Sequence, residues 1–413
     1  MNQTLRADAD AIVRASIAAV LPDEAVRRTL KDYRSRGGKT VLVAAGKAAW
    51  QMARAALETL GGVDGGVVIT KYGHVKGPLP GLVCCEAGHP VPDENSFDAT
   101  KRALELVKEL GAEDTVIFLL SGGGSALFEL PLIPGEELRE LTRRLLGCGA
   151  DIVEINAIRK RLSAVKGGRF ALACAPARVL SVVLSDVLGD PLDSIASGPA
   201  YPDGSTCADA LAVVEKYGLP LSENALALLR RETAKELNNV ETHLNGSVRA
   251  LCAAAAAAAR ERGYEPVVLT DRLCCEAREA GRFLSSILKS HERCGRSLAF
   301  IAGGETVVRL TGSGLGGRNQ ELALAACEGI AGMANAAVFS VGSDGTDGPT
   351  DAAGGYVDGE SLGKLKKAGL ELHTVLQNND SYHALLSVGG LIVTGPTGTN
   401  VNDVAVALLR CGG

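Results

Sequence analysis

Val338-Phe339-Ser340-Val341-Gly342-Ser343-Asp344-Gly345-Thr346-Asp347-Gly348-Pro349-Thr350-Asp351 runs from an apolar stretch straight into a loop that sets three carboxylates among three glycines. The run Ala336 to Val341 reads as a buried strand, and open α/β sheets bind their ligands outside the carboxyl ends of such strands. Glycine lets backbone approach a ligand closely, while Asp can hold a cation or accept hydrogen bonds from hydroxyls. A single Asp-Gly pair would signal only a turn. Three Asp in one short loop behind a strand point to a site instead.

Working outward, the same punctuation recurs. Thr40 to Ala45, Thr115 to Leu120, Val179 to Leu184, Pro266 to Thr270, Leu298 to Ala302 and Leu391 to Thr394 are strand-length apolar runs between helical patterns. That alternation is what repeated β-α units require, so the expected class is α/β with a mostly parallel sheet. A chain of 413 residues exceeds the roughly 250–300 at which one core stops growing. Two domains are therefore expected, 1–245 and 246–413, with the junction at the end of a charged, helical-looking segment from Asp209 to Asn245. The stretch from Asn402 reads as a last helix able to pack on either domain.

Composition narrows the function. Hydrophobic residues make up 46% and charged ones 22%, enough for a sizeable core, while 50 glycines and only 4% aromatics suit close helix-on-sheet packing with tight loops. A formal charge of −5 leaves no excess of basic residues to track a phosphate backbone, which argues against nucleic acid. No run approaches the roughly 20 apolar residues that cross a bilayer, and Met1 to Leu30 lacks a signal peptide's apolar centre. A cytoplasmic protein is expected. The eleven cysteines are odd in number, scattered through apolar segments and without C-x-x-C spacing, so reduced, mostly buried thiols are expected rather than disulfides or a zinc site.

Several loops can carry chemistry. Ala45-Gly46-Lys47 opens the helical pattern Ala48 to Leu60, and a lysine beside a helix start favours an anion, although an isolated lysine is more often a solvated one. Ser121-Gly122-Gly123-Gly124-Ser125 follows a buried run and can turn several N–H groups toward one point, a nest for phosphate oxygens. Ser185-Asp186-Val187-Leu188-Gly189-Asp190-Pro191 offers two carboxylates at a third strand end, suited to a general base or to Mg²⁺. Upstream, Asn156 to Arg169 carries five cations, ordinarily a solvated helix face. Gly312, Gly314 and Gly317 satisfy G-x-G-x-x-G and raise a dinucleotide-binding dehydrogenase as a rival. Against it, Thr306 to Leu310 is not a fully buried strand, and no acid for the ribose follows about twenty residues on. Arg318 is better placed as an anion clamp.

Taken together, these segments resemble the glycerate 2-kinase family, whose C-terminal half is the MOFRL domain. The resemblance covers nearly the whole chain: the Gly46-Lys47 turn, Ala87-Gly88-His89-Pro90-Val91-Pro92-Asp93, Ser121 to Ser125, Asn156 to Gly168, Ser185 to Pro191, Gly303-Gly304-Glu305-Thr306, Gly317-Arg318-Asn319-Gln320-Glu321, Gly342 to Asp351 and Thr394 to Asp403. It implies two α/β domains facing a cleft, the first Rossmann-like, and ATP- and Mg²⁺-dependent phosphorylation of D-glycerate at its 2-hydroxyl. It further implies that Lys47 and Arg318 are active-site cations. Asp190 is favoured as base or Mg²⁺ ligand with Asp186 beside it, Ser121 to Ser125 hold nucleotide phosphates, and Asp344, Asp347, Asp351 and Asn319 serve substrate or metal. A homodimer is compatible with the family. Related sequences have also been labelled hydroxypyruvate reductases, which makes an NAD(P)H-dependent reductase the alternative, and a phosphate-sensing module without turnover is a third reading.

Overall fold

Six successive apolar or β-branched residues without helical period need cover on both faces. In the computed structural model, which describes residues 1–411, Thr40–Ala45 (β1) is such a strand, buried at every position. With Gly65–Lys71 (β2), Leu82–Ala87 (β3), Thr115–Leu120 (β4), Arg178–Leu184 (β5) and Val240–Gly246 (β6) it forms a six-stranded sheet in the order β3-β2-β1-β4-β5-β6. All pairs from β3 through β5 are parallel. Side chains alternate across the sheet. Val41, Val43 and Ala45 join Phe118, Phe128 and Phe170 on one face, while Leu42 and Ala44 join Met52, Ala53 and Leu119 on the other. Burying one such apolar side chain is worth about 1.5–3 kcal/mol, so the helices Glu94–Val107 and Ala49–Leu60 are fixed mainly by what they cover.

This strand order is that of the doubly wound dinucleotide-binding fold, and it reverses between β1 and β4. Ala45 lies opposite Leu120 in the register, so the loops after β1 and β4 leave the sheet side by side at the switch point.

The second compact unit is built from Met1–Leu21 together with Gly246–Gly413, while Pro22–Asn245 forms the first. Its sheet joins Glu265–Leu273 (β7), Leu298–Gly304 (β8), Ala336–Gly342 (β9), Gly354–Asp358 (β10), Leu391–Ile392 (β11) and Asp403–Leu409 (β12) in the order β11-β10-β9-β12-β8-β7. Only β7 and β8 pair in parallel; the other pairs are antiparallel.

Four expectations change. The stretch from Asn402 is a strand rather than a helix: Asp403–Leu409 is buried throughout and sits between β8 and β9. A short apolar run fits either element by pattern, and the two open edges decide it. The first 21 residues pack with the second unit, not the first. Their helix Gln3–Ala19 lies on the alanine-rich helix Val248–Glu261, and Asp8 accepts a hydrogen bond from the Tyr264 hydroxyl (2.8 Å) while pairing with Arg410. The segment Asp209 to Asn245 ends in β6, whose alternating polar residues hid it. Among the cysteines, only Cys174, Cys252 and Cys327 are buried; Cys148, Cys274, Cys275, Cys294 and Cys411 are exposed because they fall in loops and helix ends, and none is in a disulfide.

Candidate active site

At the switch point two loops lock together through backbone. The Lys47 N–H donates to the Gly122 carbonyl (2.9 Å), the Ser121 N–H to the Ala45 carbonyl (3.0 Å), and the Ala48 N–H to Ser121 Oγ (3.1 Å). Gly46 has φ +124, and a side chain there would begin 2.2 Å from Ser121 Oγ, so both its conformation and its packing demand glycine. Ser121, expected to touch phosphate, is buried and spent on this lock. Gly123, at φ +85, turns the loop into the four-residue helix Gly124–Leu127 and lies between the His89 ring and the Lys47 side chain. The Asp186 carboxylate is packed against Gly122. Asp190 sits on the next turn in the left-handed region, φ +53, where Asp and Asn are tolerated best.

Lys47, the Gly122–Gly124 loop and Asp186 are thus gathered at one sheet edge. The Lys47 ammonium is exposed and pairs with no carboxylate among the described residues. His89 belongs here as well, without a role assigned from sequence. Burial, then the nearby positive charges of Lys47, Lys71 and His74, hold its pKa below the usual histidine value. A neutral imidazole can accept a proton or a hydrogen bond. Mg²⁺ carried by nucleotide phosphates needs only one or two protein carboxylates. No three metal-ligating side chains converge among the described residues. Asp186 against the glycine loop, with Asp190 near it in sequence, still fits an ion borne on phosphate.

The cation run behaves differently from a solvated helix face. Arg159, Lys160, Arg161 and Lys166 are buried. Lys160 bridges Asp193 and Asp203 at 2.9 Å each, and Arg161 pairs with Glu232 (3.1 Å) and Asp203 (3.5 Å). These partners lie 33 to 71 residues away in sequence, so no local pattern announces them.

In the second unit, β12 begins with Asp403 set opposite both Gly304 and Gly342, the last residues of β8 and β9. Asp403 grips Arg318 with two bonds, Nε to Oδ2 at 2.6 Å and Nη2 to Oδ1 at 3.1 Å, while Nη1 donates to Glu305 (2.8 Å). Burial works against the Arg318 charge, but Asp403 outweighs it, with Glu305 and Asp347 adding to the effect, and the guanidinium is held above its ordinary pKa. Nη1 and Nη2 each keep a second N–H for a ligand. Glu305 and Asp403 had no assigned role; their place at strand ends was the available signal.

The Asp-rich loop turns inward. Asp347 is buried and accepts from the Asn319 and Gln320 N–H groups (3.1 and 2.8 Å), capping the helix Arg318–Ala326. Burial pushes its carboxyl up to about 6 despite those bonds. Asn319 is also buried, bonded to Ser340 Oγ and Asp347, which takes it away from substrate or metal. Asp344 receives the Thr346 N–H (2.9 Å) in a local turn, and the exposed Asp351 receives the Tyr382 hydroxyl (2.8 Å). The G-x-G-x-x-G segment is a loop, not a strand-to-helix turn. Leu310 before it is 79% exposed, and side chains at Gly312 or Gly314 would collide with the Asn378–Asp380 backbone. The first unit's own first βα turn carries Gly46-Lys47 in place of that fingerprint.

Fold and site define an α/β protein with a Rossmann-ordered unit and a mixed-sheet unit, each ending its strands in polar loops. Residues 8–230 match a family described as a domain of unknown function, DUF4147, and residues 298–403 match the MOFRL family. The D-glycerate 2-kinase of Thermotoga maritima is 54% identical over 414 residues, covering 98% of this chain and 99% of that one. The crystal structure of a glycerate kinase from Thermotoga maritima superposes with a TM-score of 0.94 at 53% identity, covering 99% of this chain and all of the other. An Agrobacterium vitis protein with a provisional hydroxypyruvate reductase name is 40% identical over 96% of this chain and 93% of its own. The chain belongs to the glycerate 2-kinase family, with its MOFRL region in the second unit.

Proposed function

We propose that this protein transfers the γ-phosphoryl group of ATP to the 2-hydroxyl of D-glycerate, giving 2-phosphoglycerate and ADP. The observation that carries the reading is the exposed Lys47 ammonium, without a carboxylate partner, set beside a glycine-rich loop at the switch point of the first sheet. The acceptor is taken from the relative named for it. Phosphoryl transfer asks a protein mainly for positioning and charge neutralisation. Lys47 neutralises charge on the transferring group, and the N–H groups of Gly122 and Gly123 hold phosphate oxygens, that of Gly124 being already donated to the Ser121 carbonyl (3.3 Å). Asp190 accepts the proton of the glycerate hydroxyl as its oxygen bonds to phosphorus and the bond to ADP breaks. Mg²⁺, when bound, supplies further charge neutralisation, with Asp186 and Asp190 as the carboxylates to hold it. Arg318, aimed by Asp403 and Glu305, is the second cation assigned to the reaction. A cytoplasmic place belongs to the same reading, supported by eleven cysteines none of which forms a disulfide. No helix among the described residues is long and apolar enough to cross a membrane.

The test is incubation of purified protein with ATP, Mg²⁺ and D-glycerate, with 2- and 3-phosphoglycerate separated afterwards. Accumulation of the 2-isomer is expected. Oxidation of NADH or NADPH by hydroxypyruvate, with no ATP consumed, would replace this reading with the reductase.

A further inference from the structure

Of the buried cations in the first unit, Arg159 alone has no partner among the described residues. Lys160, Arg161 and Lys166 each meet a carboxylate, whereas the Arg159 guanidinium makes no hydrogen bond or ion pair among the described residues. Its Nε is buried and unsatisfied, yet the residue keeps 9% of its surface, so its tip is reachable. Glu129 does not pair with it: that carboxylate is fully buried, lies 3.5 Å from Lys166 with neither oxygen hydrogen-bonded, and favours the Arg159 charge only through space. One turn earlier on the helix Ile152–Arg161, and so on the same face, Asn156 is buried with its Nδ2 also unsatisfied.

This pair of open donors is tied to the glycine loop. Asn156 Oδ1 accepts from Ser197 Oγ at 2.7 Å, and Ser197 Oγ lies 3.5 Å from Ser125 Oγ, at the end of that loop. Ala196, Ser197 and Gly198 all have positive φ, and the Ala196 methyl lies against Gly124. Two consecutive non-glycine residues held in the left-handed region cost free energy, a strain that persists where the surroundings impose it and that clusters at functional sites. A buried guanidinium without a paired counter-charge is costly too, and replacing it with an apolar side chain would ordinarily stabilise a protein. Both costs make sense if the charge is completed by a ligand.

The geometry points to Arg159 and Asn156 as the receptor for the carboxylate of the acceptor hydroxy acid, next to the phosphate-holding glycine loop. A carboxylate is the matching group: planar, acceptor-only, and able to take two parallel bonds from one guanidinium. This assignment rests on the kinase reading for the identity of the acid, but the binding chemistry stands apart from turnover.

The experiment is calorimetric titration of the full chain, without nucleotide, with D-glycerate, with lactate, and with glycerol as the analogue lacking the carboxylate, on wild type, Arg159→Lys and Arg159→Met. Wild type is expected to bind both acids and not glycerol. Both variants should lose about 10- to 100-fold in affinity for the acids, the size of a charged hydrogen-bonded contact. The melting temperature gives an independent reading, since Arg159→Met should melt at or above wild type while binding worse. Unchanged acid binding in the variants overturns the assignment, as does a wild type that binds neither acid. A marked drop in melting temperature in Arg159→Met also overturns it, because the arginine would then be structural. If wild type binds the acids through Arg159 yet phosphorylates no glycerate, the receptor stands and the kinase reading falls.

Discussion

The strand-end loops of the two sheets spend their charges in opposite ways. After β1 and β4, backbone locks to backbone and the Lys47 ammonium is left open. After β8 and β9 the charges are committed: Arg318 to Asp403 and Glu305, Asp347 to the helix it caps, Asp351 to Tyr382. The first leaves a cation open; the second holds a cation between the buried Asp403 and the exposed Glu305. Removing an open charge should cost activity alone, whereas removing a committed one should cost the fold as well.

Lys47→Ala and Arg318→Ala put the largest effect on that distinction. Each is expected to lower kcat by on the order of 10³–10⁵, roughly 4–7 kcal/mol of barrier. Only Arg318→Ala should also lose stability, by roughly 2–3 kcal/mol, because it strands the buried Asp403. Denaturant unfolding beside steady-state kinetics decides it, and equal stability of the two variants breaks the comparison. Asp190→Asn comes next, with an expected loss of about 10²–10⁴ in turnover, the usual reach of a general base. Asn accepts the same left-handed backbone, so the fold should hold. Recovery of turnover with excess Mg²⁺ would reassign Asp190 to the metal.

Asp347 tests the committed side through pH. Its folded pKa of about 6 lies above the ordinary Asp value. The folded state therefore holds the proton more tightly than the unfolded chain, and the stability linked to it is complete below about pH 4 and lost as pH rises through about 6. Unfolding curves at pH 4.5 and 7.5 should show wild type losing roughly 1.5–3 kcal/mol relative to Asp347→Asn over that interval. A constant difference would mean the carboxylate is not strained by burial. The smallest effect is Gly123→Ala, which puts a side chain at φ +85 about 3.0 Å from the His89 ring. Backbone strain of about 1–2 kcal/mol is expected, with a raised KM for ATP as the kinetic sign. Unchanged ATP kinetics would move the nucleotide away from this loop.

How much of the molecule was legible in its sequence tracks the range of the interactions. β1, β4 and β5 declared themselves because a strand buried on both faces must be apolar throughout, and Lys47 and the Ser121–Ser125 loop were legible as the turns that leave such strands. Asp347 and Asn319 looked ligand-facing because the helix end and the loop that consume each other lie 28 residues apart. Arg161 looked solvated because Asp203 and Glu232 enter only with the fold. β12 passed for a helix since nothing in Asp403–Leu409 tells of two open strand edges waiting on either side.

That central strand also imposes an order on the making of the molecule. As the chain leaves the ribosome, at about 5–20 residues per second, β8 and β9 emerge first and cannot pair with each other, since their common neighbour has not been made. Until Asp403–Leu409 appears, the mixed sheet exists as two separate pieces with bare edges, and the opening helix Gln3–Ala19 has waited tens of seconds for Tyr264 and Arg410. The parallel sheet, complete by Gly246, has no such wait. A ribosome stalled shortly before Asp403 would thus release a nascent chain with one finished sheet and one sticky half, the kind of product that chaperones and proteases are there to intercept.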